Sequence, residues 1–305
     1  MNPQAASNLK ATSPGADRPE AGLSLDPVPL LRIRSTGGWR ALDIKEIFQF
    51  RELLWFLMVR DIKIRYKQTA LGVVWAVIQP LSTVLVFSLL FGRLAHLPSD
   101  GVPYALSTLV GLLPWQLFAY ALSQSSNSLV AEQRLVSKVY FPRLIVPMAS
   151  VMAGVVDFLI ALGLTLGAVT VFHIAGWYHF QVRLALLALP IFCVLALATA
   201  LAVGIWLSAL NVKYRDIRYV IPFLTQMWLF ITPVAYASSL VPVQYRGVYG
   251  LNPMAGVVEG FRWGILGTRS PSWLMISISL GMVLLLLVSG LFYFRRVERG
   301  FADIV

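Results

Sequence analysis

The sequence predicts an all-α integral membrane protein with six transmembrane helices. Three observations carry that prediction. Of 305 residues, 58% are hydrophobic and 13% charged, and the apolar residues come in long blocks. The net charge of +11 sits at the ends of those blocks and not along one stripe, so it describes membrane topology and no nucleic-acid partner. The stretch Arg60–Pro80 is a sharp edge: Arg60, Asp61, Lys63, Arg65 and Lys67 precede a charge-free run from Gln68 to Gly92. That run is long enough to cross a bilayer core, and its basic border places the N-terminus inside.

In chain order, residues 1–40 are rich in Pro, Ser, Ala and Gly and lack periodicity, which predicts a disordered cytoplasmic arm with no signal-peptide pattern. Residues 41–67 predict an amphipathic interface helix with a basic edge at Arg60, Lys63, Arg65 and Lys67. Asp43 and Glu46 resemble a capping box at its start. Ile44, Ile47, Phe48, Leu54, Trp55 and Met58 fall near one face, which lies on lipid or packs on protein. Residues 68–295 form the transmembrane domain, and residues 296–305 a cytoplasmic tail. Hydropathy gives spans at Leu71–Arg93, Tyr104–Leu129, Leu144–Phe172, Leu184–Leu210, Val220–Tyr236 and Trp273–Phe294. With the N-terminus inside, 20 of the 25 Lys and Arg fall on the inner side. The opposite orientation reverses that ratio.

Between the fifth and sixth spans, Asn252 and Pro253 predict a helix start and Gly267 its stop. At about 14 residues the helix spans roughly 21 Å, too short to cross, so it is expected as a re-entrant or interfacial helix at the outer mouth. Met254, Val257, Val258, Phe261 and Ile265 line one face, and Glu259 and Arg262 lie within one turn of each other as a candidate outer gate.

Most catalytic chemistry is missing. No G-x-x-x-x-G-K-[ST] is present, so ATP is not bound here through a P-loop. His96, His173 and His179 have no clustered carboxylates, and Cys193 is the single cysteine, so no metal site is expected. Glu259–Trp263 faintly matches the Q-x-x-R-W of processive glycosyltransferases, but no D-x-D accompanies it and the segment lies outside. Asp157, mid-span, needs a partner: an interhelical hydrogen bond that fixes packing is favoured over a polar step in a transport path. Trp75, Trp115, Phe118, Tyr120, Trp228 and Tyr236 are packing or belt residues, or the aromatic wall of a sugar path. Two inner loops are short and basic. In Glu132–Pro147, Tyr140 and Phe141 form an apolar knob between Lys138 and Arg143 that suits a groove in a soluble partner; the second is Asn211–Arg218.

Four segments in order resemble one family. RDIKIRYKQTALGVVWAVIQPL at 60–81, KVYFPRLIVP at 138–147, NVKYRDIRYVIPFLTQMWLFITPVAY at 211–236 and LNPMAGVVEGFRWGILG at 251–267 are similar to membrane subunits of ABC type-2 polysaccharide exporters. The resemblance implies the type-2 ABC exporter fold, a homodimer and two copies of a separate ATPase that binds ATP and Mg. It also implies a lipid-linked polysaccharide substrate such as O-antigen, capsule or teichoic acid, and residence in the inner membrane with both termini cytoplasmic. Lys138, Tyr140, Phe141, Pro142 and Arg143 inherit the coupling role. A related exporter of small hydrophobic drugs or lipids is the alternative; a membrane enzyme acting on lipid-linked sugars lacks positioned catalytic carboxylates.

Overall fold

A computed structural model describes residues 44–67, 72–181 and 183–298. The expected N-terminal arm, the Asp43 cap and the last residues of the tail lie outside the described residues. Every regular element among the described residues is a helix. It runs α1 (Ile44–Gln49), α2 (Arg51–Lys67), α3 (Gly72–Phe87), α4 (Tyr104–Ala131), α5 (Gln133–Lys138) and α6 (Ile145–Ile174). There follow α7 (Leu189–Lys213), α8 (Ile217–Ile231), α9 (Arg246–Tyr249), α10 (Pro253–Leu266) and α11 (Trp273–Glu298). A π-helical turn, Ser88–Leu94, extends α3.

Among the described residues five helices are long and apolar enough to cross a membrane: α3 with its π-helical extension, α4, α6, α7 with the turn before it, and α11. The expected fifth span is shorter than hydropathy suggests. Helix α8 has 15 residues, about 22 Å, against a core of about 30 Å. It stops at Ile231, five positions before the expected end at Tyr236. Thr232 is extended (φ −88°, ψ 141°), the conformation favoured before a proline, and Pro233 has no N–H to continue the ladder.

Helix α4 is the centre of the bundle. It packs on α6, α7 and α10, with α3 and α8 at its flanks, and side chains all round it are buried. One apolar core surrounds its first half and holds Val110, Phe118, Phe261 and Ile265. A second lies at the other end and joins Leu57 of α2 to Phe141, Ile145, Ile205 and Phe294. Outside these cores, Leu85, Val171, Ile191, Val194 and Leu285 are exposed, an apolar surface that suits lipid and not water.

The interface helix is split at Phe50, although backbone bonds from Phe50 N to Glu46 O and from Leu54 N to Phe50 O carry across the break. Its apolar residues make two edges. Ile47, Phe50, Leu53, Leu54 and Leu57 pack on the bundle, while Phe48, Trp55 and Phe56 stay exposed. The lipid-facing and protein-facing alternatives therefore apply to opposite sides of one helix.

Candidate functional site

At the end of the bundle that holds the α4–α6 connection, the loop after α5 splits the expected knob. Val139 is extended (φ −123°, ψ 135°), and an extended backbone sends successive side chains to opposite sides. Tyr140 is 64% exposed, whereas Phe141 is 5% exposed and sits in the core with Leu144, Ile145 and Phe294. Lys138 is exposed and Pro142 buried. Arg143 Nη1 donates to the Glu298 carbonyl at 2.6 Å, which ties the loop to the end of α11. The exposed apolar surface is thus Val139–Tyr140, and Phe141 anchors it. On the connection between α7 and α8, Tyr214 and Tyr219 are exposed, each with a cation over its ring: Lys213 at 5.2 Å and Arg218 at 4.8 Å.

The basic edge of α2 is built into an ionic network. Arg60 bonds Asp61 at 2.8 Å and Glu132, at the end of α4, at 2.5 Å. Arg65 pairs with Asp157 of α6 at 2.6 Å and lies 4.3 Å over the Tyr120 ring. Tyr66 donates to the other Asp157 oxygen. The mid-span carboxylate therefore has two partners, both from α2, as its cost in a membrane requires. A cavity of about 300 Å³ opens between α2, α4 and α6, with Arg60, Tyr120 and Glu132 in its wall. Lys63 and Lys67 are exposed.

The aromatic candidates do not form one wall. Trp115 and Phe118 are buried with ring centroids 5.2 Å apart, and Trp228 lies 5.0 Å from Phe118. Trp228 Nε1 donates to Asn252 Oδ1 at 2.9 Å. Tyr236 and Tyr249 share a hydrogen bond at 2.6 Å, and Tyr120 sits apart with Arg65. Trp75 lies on α3 with its side chain outside the described set.

Helix α10 has the boundaries its sequence predicts. Asn252 Oδ1 accepts from Met254 N at 3.1 Å, Pro253 takes the first turn, and Gly267 ends the helix in the left-handed region at φ 62°. Met254, Val257, Val258, Phe261 and Ile265 are buried, as the face predicted. Arg262 is 6% exposed, and its guanidinium donates to three carbonyls: Ser107 at 3.2 Å, Tyr236 at 3.0 Å and Val234 at 2.7 Å. Gly111 of α4 permits this approach, because a Cβ there would lie 2.9 Å from Nη2. Burial pulls Arg262 down to about 10, with Glu259 opposing, so it stays charged at neutral pH. Burial pushes Glu259 up to about 7, against the pull of Arg262 and Arg246. Both face a cavity of about 110 Å³ shared with Asp100, Ser239, Arg246 and Arg269. The sequence signalled Glu259 and Arg262 but not Arg246, at the start of α9, or Arg269, in the loop before α11. Among the described residues no group of three or more His, Cys, Asp and Glu is placed to hold a metal.

The chain is similar over most of its length to proteins named as export permeases or transport proteins. It is 29% identical over 259 residues to the O-antigen export system permease protein RfbA of Myxococcus xanthus, covering 84% of this chain and 96% of that protein. It is 27% identical over 256 residues to the Klebsiella pneumoniae protein of the same name, covering 83% and 95%. To the polysialic acid transport protein KpsM of Escherichia coli it is 24% identical over 249 residues, covering 80% and 93%. The family model for ABC-2 type transporters matches residues 52–266, from the start of α2 to the end of α10. With five apolar helices of spanning length and that match across most of them, the chain is a multi-pass membrane protein that belongs to the ABC-2 type transporter family.

Proposed function

We propose that this chain is the permease subunit of an ABC exporter that moves lipid-linked polysaccharide, such as O-antigen, across the cytoplasmic membrane. The observation that carries the reading is the similarity, over more than four-fifths of the chain, to two proteins named as O-antigen export permeases. Two copies of the chain form the gateway, and two copies of a separate ATPase hold ATP and Mg and drive it. The N- and C-termini are cytoplasmic, in keeping with the inner excess of Lys and Arg. Six crossings result if α8 and the turn that follows it, residues 232–237, together complete the fifth crossing. Helices α9 and α10 then form the re-entrant outer cap, with Glu259 and Arg262 at its gate.

In this reading Lys138, Tyr140 and Arg143 meet the ATPase, while the buried Phe141 and Pro142 hold their loop to the bundle. Movement of that loop reaches α2 through Arg60–Glu132 and α11 through Arg143–Glu298. Trp228 and Tyr236, which are only half-buried, are the aromatics best placed to line a path; Trp115 and Phe118 support them from the core. The test is a gene deletion with the lipid-linked polymer followed by compartment. Polymer retained on the cytoplasmic side is the expected result. Loss of polymer synthesis itself, or continued export, would overturn the proposal.

A further inference from the structure

We infer that the cavity beside α10 is an oxyanion subsite of the phosphate class, built on Arg262, Arg246 and Arg269. The first ground is the state of Arg262. Its charge is buried, and the acceptors that hold it are carbonyls, which orient a guanidinium without neutralising it. Among the described residues no carboxylate forms an ion pair with it. A buried cation whose direct partners are all neutral carbonyls is costly unless opposite charge lies nearby, and Glu259 supplies only part of it because burial favours its neutral acid.

The second ground is the rest of the wall. Arg246 and Arg269 line the same cavity, and neither side chain makes an ion pair or hydrogen bond among the described residues. Two carboxylates face these three cations. Asp100 already accepts from Ser239 Oγ at 2.8 Å. Glu259 is drawn toward its neutral acid by burial, and an anion bound nearby would draw it further. Most of the remaining lining residues are serine or threonine, although the Ser99 and Ser239 hydroxyls already donate to Val102 O and Asp100. Guanidinium forks with hydroxyl donors match a tetrahedral oxyanion, whereas a metal cation would meet three fixed positive charges.

The third ground is size. About 110 Å³ is roughly four times a liquid water's share of volume, which suits a phosphate group and is tight for a polymer segment. Two sources offer this chemistry at an outer mouth: the diphosphate of a lipid carrier, and free phosphate or pyrophosphate. The carrier source rests on the export reading above; the anion site itself does not.

The experiment uses the full chain purified in a phosphate-free detergent and titrated with inorganic phosphate, inorganic pyrophosphate and geranyl diphosphate. Thermal unfolding and calorimetry report binding. We expect at least one probe to bind at millimolar concentration or below, more weakly as salt rises. The double variant Arg246→Gln/Arg269→Gln should bind about tenfold more weakly or less, with an unchanged unfolding temperature in the absence of probe. Tighter binding of geranyl diphosphate than of pyrophosphate supports the site with the lipid carrier as its source; equal binding supports it with the free anion. No binding of any probe to the folded wild type, or equal binding by the double variant, overturns the site. The export reading fails elsewhere, in a deletion strain that still exports polymer, and that result leaves the titration standing.

Discussion

Tyr140 and Phe141 differ by one position and by nearly all of their exposure. Their environments predict opposite phenotypes. Phe141→Ala removes a ring from the core around Ile145 and Phe294 and should cost about 3–5 kcal/mol, seen as a lower unfolding temperature. Tyr140→Ala should change stability by less than about 0.5 kcal/mol yet weaken co-purification of the ATPase subunit. The reverse pattern would refute docking through Tyr140. The sequence placed both aromatics in one knob, because nothing in their composition encodes the extended turn at Val139 that separates them. Glu259 makes a second prediction, in pH. Burial raises its folded-state value to about 7 from an ordinary 4.5, so between those values the folded chain binds more protons than the unfolded one. Stability therefore falls as pH rises from about 4.5 to about 7. Glu259→Gln should flatten that slope: the variant is more stable than wild type above pH 7 and close to it near pH 4, as unfolding temperatures across pH will read.

Helices α8 and α10 mark what local sequence does and does not encode. For α10, the Asn252 cap, Pro253 and Gly267 fix both ends, because each acts through its own backbone or the next few residues. For α8, hydropathy continues through Val234 and Ala235, but apolarity does not make hydrogen bonds, and the Thr232–Pro233 step ends the ladder. A crossing by α8 and the segment after it puts the two flanking turns on opposite sides. In a Cys193→Ala background, Ser238→Cys should react with an impermeant thiol reagent from outside and Tyr214→Cys only from inside. Labelling of both from one side would remove the sixth crossing. The interface helix was legible in kind but not in face: the predicted apolar stripe included Trp55, which is exposed, and left out Phe50, Leu53 and Leu57, which pack on the bundle.

For the molecule as a whole, the order of the apolar helices was readable while depth was not. The charge-free blocks located the spans because crossing a bilayer forbids isolated charges. They did not reveal that α4 lies at the centre. Of the five long helices α4 is the least apolar, since a helix wrapped by protein tolerates Ser107, Thr108, Ser125, Ser126 and Ser128, whereas its neighbours must also satisfy lipid. The ionic links were half readable. Asp157 announced that it needed a partner, but Tyr66 and Arg65 are some ninety positions away and only the fold brings them to it. The same distance hides the cavity beside α10, whose cations come from α9, α10 and the loop before α11. The three carbonyls held by Arg262 carry a consequence for biogenesis. A ribosome delivers Ser107, Val234 and Tyr236 to the membrane before it adds the one side chain that joins them. The Arg262 link from α10 to α4 and to the turn after α8 is therefore made only after α10 has been synthesised, and a nascent chain cut short before Arg262 lacks it.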